Sequence, residues 1–108
     1  MNMLEPATVV APLDLVKTQE GAIVSRTLCK SGGGNVSLFA FDKGQGLSEH
    51  TAPFDAIVNV LEGEAQVSIG GQWHTVAAGQ LVLMPAGVPH ALRADHAFTM
   101  LLTMLKQG

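Results

Sequence analysis

A chain of 108 residues is the size of one domain, long enough to bury a core and too short to divide into two. Hydrophobic residues make up 47% of it and charged residues 14%; this excludes disorder and leaves little polar surface, so a homodimer is expected. A net charge of −3 offers no basic stripe to nucleic acid, and no apolar run approaches the ~20 residues that cross a bilayer. Glu5, Pro6 and Asp14 stand where a signal peptide would need a basic start and an unbroken apolar run, so a cytoplasmic location is expected. Cys29 is the only cysteine and reads as a core residue, since no internal disulfide can form.

Short alternating or β-branched runs separated by Gly, Pro and Asn predict an all-β chain. Strands are expected over 22–30 and 36–42, joined by a loose turn at Ser31-Gly32-Gly33-Gly34-Asn35. A strand over 48–52 meets Pro53, which forces a corner, and the chain resumes over 55–61. Gly63 ends that strand; 64–69 and 72–76 form a hairpin around Gly70-Gly71, whose positive backbone angles suit a two-residue turn. Strands over 80–84 and 88–94 flank Pro85-Ala86-Gly87. The segment 97–105 has the length of a helix, but Thr99 and Thr103 and the strands before it favour a closing strand. The core spans 22–105 of a single domain, and 1–21 form an N-terminal extension able to add an edge strand.

Two spacings in this chain carry a resemblance. Gly79, Pro85, Gly87 and His90 stand five, one and two residues apart, and Ala94 follows after three more. Gly44 and His50 are separated by five residues, with Gly63 further on. This pattern resembles the two motifs of the cupin superfamily, small single-domain RmlC-like members included. The resemblance implies an antiparallel β-barrel or jelly roll of two packed sheets. It also implies a site for a divalent metal such as Fe, Mn, Zn or Ni, held by two histidines and a Glu of the first motif and the His of the second.

Only His50 and His90 of that set are present here. Ala52 replaces the second histidine, Ala56 stands at the Glu position, and Ala94 stands where Asn is usual. Asp55 lies one place early, so strand alternation turns it away from the face of Ala56 unless a bulge intervenes. With Asp55 turned inward, two histidines and one carboxylate would suit nonhaem Fe(II) chemistry. Without it, His50 and His90 bound a pocket for a small molecule, lined by Ala52, Ala56, Val58, Met84, Leu92 and Met100, with Val60 and one of Phe39 or Phe41 beside them.

His74 and His96 are expected at strand ends facing solvent, and Glu49 as a rim charge. Ile57, Asn59 and Leu61 point outward by the same alternation, and Trp73 is a candidate for a further interface anchor, though a lone exposed Trp on a hairpin needs no special role. The favoured expectation is a small-molecule-binding protein with a degenerate metal site. The alternative is a metal-dependent dioxygenase, isomerase or lyase using His50, His90 and Asp55. A purely structural module would need neither histidine.

Overall fold

The computed structural model describes residues 3–106. Nine strands follow in order: β1 (Ile23–Ser31), β2 (Gly34–Phe41), β3 (Gly46–His50), β4 (Phe54–Glu62), β5 (Glu64–Ile69), β6 (Gln72–Ala77), β7 (Leu81–Met84), β8 (His90–Arg93) and β9 (Phe98–Lys106). Among the described residues none is α-helical, so no helix is long and apolar enough to cross a membrane.

Two antiparallel sheets result, one ordered β1-β2-β9-β4-β7 and the other β3-β8-β5-β6. The strands turn alternate residues to opposite faces, and the inward positions are apolar, so each sheet can bury one face against the other. Along β4, Ala56, Val58 and Val60 are buried while Asp55, Ile57 and Asn59 are only partly so. The same parity on β5 sends Ala65 and Val67 into the core. At one end of the sandwich Phe41 and Phe98 stack with ring centroids 4.6 Å apart, both virtually without exposure. That aromatic plug closes one end, whereas small residues leave the other end open.

The β1–β2 turn is tighter than the five-residue turn expected. Ser31 pairs directly with Gly34, leaving Gly32 and Gly33 as a two-residue tip. Gly34 is required there, because its φ is +152° and a Cβ would collide with the Met104 carbonyl of β9. The third strand also differs, running over Gly46–His50 and ending before Thr51 and Ala52.

Cys29 is exposed, contrary to its expected place in the core. The register of β1 against β2 slips between Thr27 and Cys29, and Leu28 at the slip takes the buried position while Cys29 is left exposed. Leu28 belongs to a second apolar cluster with Val16, Leu38 and Ala40 on the outer face of the five-stranded sheet. The expected edge strand from the N-terminal extension does not form among the described residues. Pro6 and Pro12 lack the N–H a ladder needs; instead a 3-10 turn (Pro12–Asp14) brings Leu15 and Val16 down onto that outer cluster. Leu61, which faces outward, is covered by the same cluster.

Candidate functional site

The open end of the sandwich holds a cavity of about 140 Å3. His50 comes from the end of β3 and His90 from the start of β8, and the two are direct cross-strand partners. Their ring centroids lie 4.3 Å apart at an interplanar angle of 69°. His50 is exposed at the mouth, while His90 is 5% exposed and forms part of the wall.

A bulge in β3 sets this geometry. Leu47 pairs with Leu92 and His50 with His90, so Ser48 and Glu49 together oppose Ala91 alone. The extra residue lets Leu47 and His50, three positions apart, both face the cavity. Ser48 and Glu49 turn to the outer surface, where they line a shallow groove with Trp73 and Arg93.

Both imidazoles are held in the same way. His50 Nδ1 lies 2.7 Å from the carbonyl of Ser48, and His90 Nδ1 lies 3.2 Å from the carbonyl of Val88. In each case the chain two residues earlier fixes the ring.

The cavity brings together His50, Ala52, Ala56, Met84, His90, Leu92 and Met100. It omits Val58, a short side chain deeper on β4 that is fully buried in the core in register with Leu102 and Val82. Of the two phenylalanines of β2, Phe39 reaches the wall and Phe41 is spent in the plug. Leu47, Phe54, Leu102 and Met104 also line it and were not expected to. Phe54 and Met104 share the inward parity of Ala56 and Met100, so strand alternation carried to the ends of β4 and β9 would have found them. Nothing in the sequence marks the bulge that turns Leu47 inward.

Asp55 is turned away. Register between β4 and β9 runs without a break from Phe54 to Val60, so no bulge carries Asp55 toward the histidines. Its Oδ1 instead accepts a hydrogen bond of 2.9 Å from the Ala86 N–H, and the adjacent Gly87 N–H donates to the Ala52 carbonyl. These two bonds clamp the Pro85-Ala86-Gly87 turn that leads into His90.

The donor set does not fit the metal that the resemblance implies. Two imidazoles are present, but alanines occupy the other two ligand positions and the nearby carboxylate is committed to a backbone N–H. Among the described residues no three His, Cys, Asp or Glu side chains converge to hold an ion. A structural or catalytic site for these metals needs three or four protein ligands. His74 and His96 are both exposed and away from the cavity lining.

An ion pair lies on the outer surface. Arg93 Nε donates to Asp95 Oδ1 at 2.7 Å, and the guanidinium sits 4.4 Å from the centre of the Trp73 ring. The hydrogen bond from Arg93 holds the Asp95 carboxyl below the usual carboxylate range.

Residues 37–105 match the family model of the cupin domain. Among solved structures, the chain is similar to a conserved protein of unknown function from Streptococcus pyogenes. The two are 39% identical with a TM-score of 0.93, over 99% of this chain and 94% of that one. It is 37% identical to a cupin 2 conserved barrel domain protein from Leptotrichia buccalis, with a TM-score of 0.83, over 86% of this chain but 45% of that one. A cupin superfamily protein from Desulfitobacterium hafniense is 27% identical, with a TM-score of 0.87 over 99% and 97% of the two chains. No curated protein matches. Motif spacing, sheet topology and a family match over most of the chain agree, and the chain belongs to the cupin family.

Proposed function

We propose that this cupin binds a small, mainly apolar molecule in the cavity between its sheets, without a bound metal. The observation that carries the reading is the wall itself: ten of its twelve lining side chains are hydrocarbon or thioether, and His50 and His90 alone bring nitrogen or oxygen. Alanines at two places where the family keeps metal ligands leave room instead of donors. Concave, largely apolar sites with a few converging polar groups are where small molecules bind.

Toluene is a suitable first probe, added with EDTA to protein carrying 13C-methyl methionine. Saturable shifts are expected at Met84, Met100 and Met104, the methionines on the wall. Ala56→Leu, which fills the cavity from a buried position on β4, should abolish them while the spectrum stays folded. Toluene leaving these methyls unmoved, or moving them only when divalent metal is restored, would sink the proposal.

Two copies are proposed to pair through the part of the five-stranded sheet that the N-terminal segment leaves bare. Leu81 and Leu83 of β7 are 65% and 50% exposed, and Leu105 of β9 is 51% exposed, with Ile57 between these strands. With so few charges in the chain, a second copy is the natural cover for this strip. Sedimentation of the parent as a dimer, and of Leu81→Lys/Leu83→Lys as a folded monomer, is expected. A parent that sediments as a monomer at micromolar concentration removes the idea.

A further inference from the structure

Resting on the reading that the cavity takes a small molecule, we infer that its ligand is a single-ring or similarly short apolar molecule bearing a hydrogen-bond donor, of which a simple phenol is the type.

The donor requirement follows from how the two rings are held. A neutral imidazole has one N–H and one bare nitrogen. A backbone carbonyl can only accept, so the contacts of His50 Nδ1 with the Ser48 carbonyl at 2.7 Å and of His90 Nδ1 with the Val88 carbonyl at 3.2 Å require a proton on Nδ1 in both rings. In the neutral rings both Nε2 atoms are then bare acceptors. The rest of the wall supplies no side-chain donor, because Phe, Leu and Ala carry no polar atom and the thioethers of the methionines are at most weak acceptors. While both rings are neutral, a carboxylate or ketone entering this site would leave its water and find no side chain that donates. A hydroxyl would find an acceptor, and its best one is His90, the ring buried in the wall.

The size requirement follows from the volume. The cavity of about 140 Å3 is close to the ~150 Å3 apolar cavity that takes up benzene. One ring fits with its donor at the histidine mouth, and a fused pair of rings does not.

Two measurements test this, both with EDTA present. In the first, 15N shifts of the imidazole nitrogens are read without ligand; a proton on Nδ1 and a bare Nε2 are expected in both rings, and Nε2–H in either overturns the inference. The second uses 4-fluorophenol, the near-isosteric 4-fluorotoluene and 4-fluorobenzoate, followed by 19F NMR on the parent, on His90→Leu and on His50→Leu. The mouth position of His50 keeps that second variant folded should His90→Leu fail.

The phenol is expected to bind the parent and to lose about tenfold in affinity on removal of its acceptor, about 1.4 kcal/mol, while the toluene loses nothing and the benzoate does not bind. Phenol binding that falls no more than toluene binding when the acceptor is removed, or benzoate binding better than phenol, overturns the donor inference and leaves the cavity reading standing. Failure of all three probes to bind removes the cavity reading and this inference together.

Discussion

Rebuilding the ligand set that this chain lacks is the sharpest test of how the cavity wall is arranged. Ala52→His with Ala56→Glu places an imidazole and a carboxylate on the wall that already carries His50 and His90. Without metal the double variant should be less stable than the parent, because Ala56 is 4% exposed and a carboxylate there loses its water without a partner. With metal the order reverses. Three imidazoles and one carboxylate suit Mn, Fe or Zn, and a metal present at 100 times its dissociation constant adds about 2.7 kcal/mol to the folded state. At about 4–8 °C per kcal/mol for a domain of this size, the unfolding midpoint should rise by about 10–20 °C, with far less change in the parent. Calorimetry with and without Mn(II) or Zn(II), together with metal content after gel filtration, reads both effects. A folded double variant indifferent to metal would show that Ala52 and Ala56 do not face the histidines as described. Stoichiometric metal in the parent that disappears in Asp55→Ala would overturn the reading altogether and favour a two-histidine, one-carboxylate enzyme.

Other outcomes follow from single contacts. Asp55→Ala removes the carboxylate that accepts from the Ala86 N–H; a loss of about 1–2 kcal/mol in denaturant unfolding is expected, with uptake of toluene retained. Phe98→Ala opens a hole beside the fully buried Phe41 and should cost about 3–5 kcal/mol, whereas a cost under about 1 kcal/mol would show that the plug collapses onto itself. The Asp95 carboxyl should titrate below the ordinary carboxylate range by NMR and return to it in Arg93→Gln. Since its folded value is the lower one, the pair's contribution is present above the unfolded carboxylate value and lost as pH falls through the folded one.

Local sequence determined most of the strand framework, because its signals act over a few residues. Alternation along 55–61 and 64–69 decides which side chains can be buried, and Gly70-Gly71 can turn a hairpin whatever surrounds it. The spacings from Gly44 to His50 and from Gly79 to His90 pointed to the family for a related reason: they set turn and strand lengths that the paired sheets must obey. The absence of a histidine at 52 and of a carboxylate at 56 was also plain in the sequence, as was the outward parity of Asp55.

What only the tertiary structure decided are the places where one strand fails to match its neighbour. The slip beside Leu28 exposes Cys29 and buries the leucine, and the slip between Leu47 and His50 turns both inward. A bulge exists only in the pairing of two strands, so neither strand's own residues announce it, and a one-residue shift exchanges the faces of every side chain beyond it. The covering of Leu61 by the N-terminal segment depends likewise on packing between distant parts of the chain. The placing of the two imidazoles belongs to the same class: their Nδ1 atoms lie against the carbonyls of Ser48 and Val88, and the rings face one another only once β3 and β8 have paired.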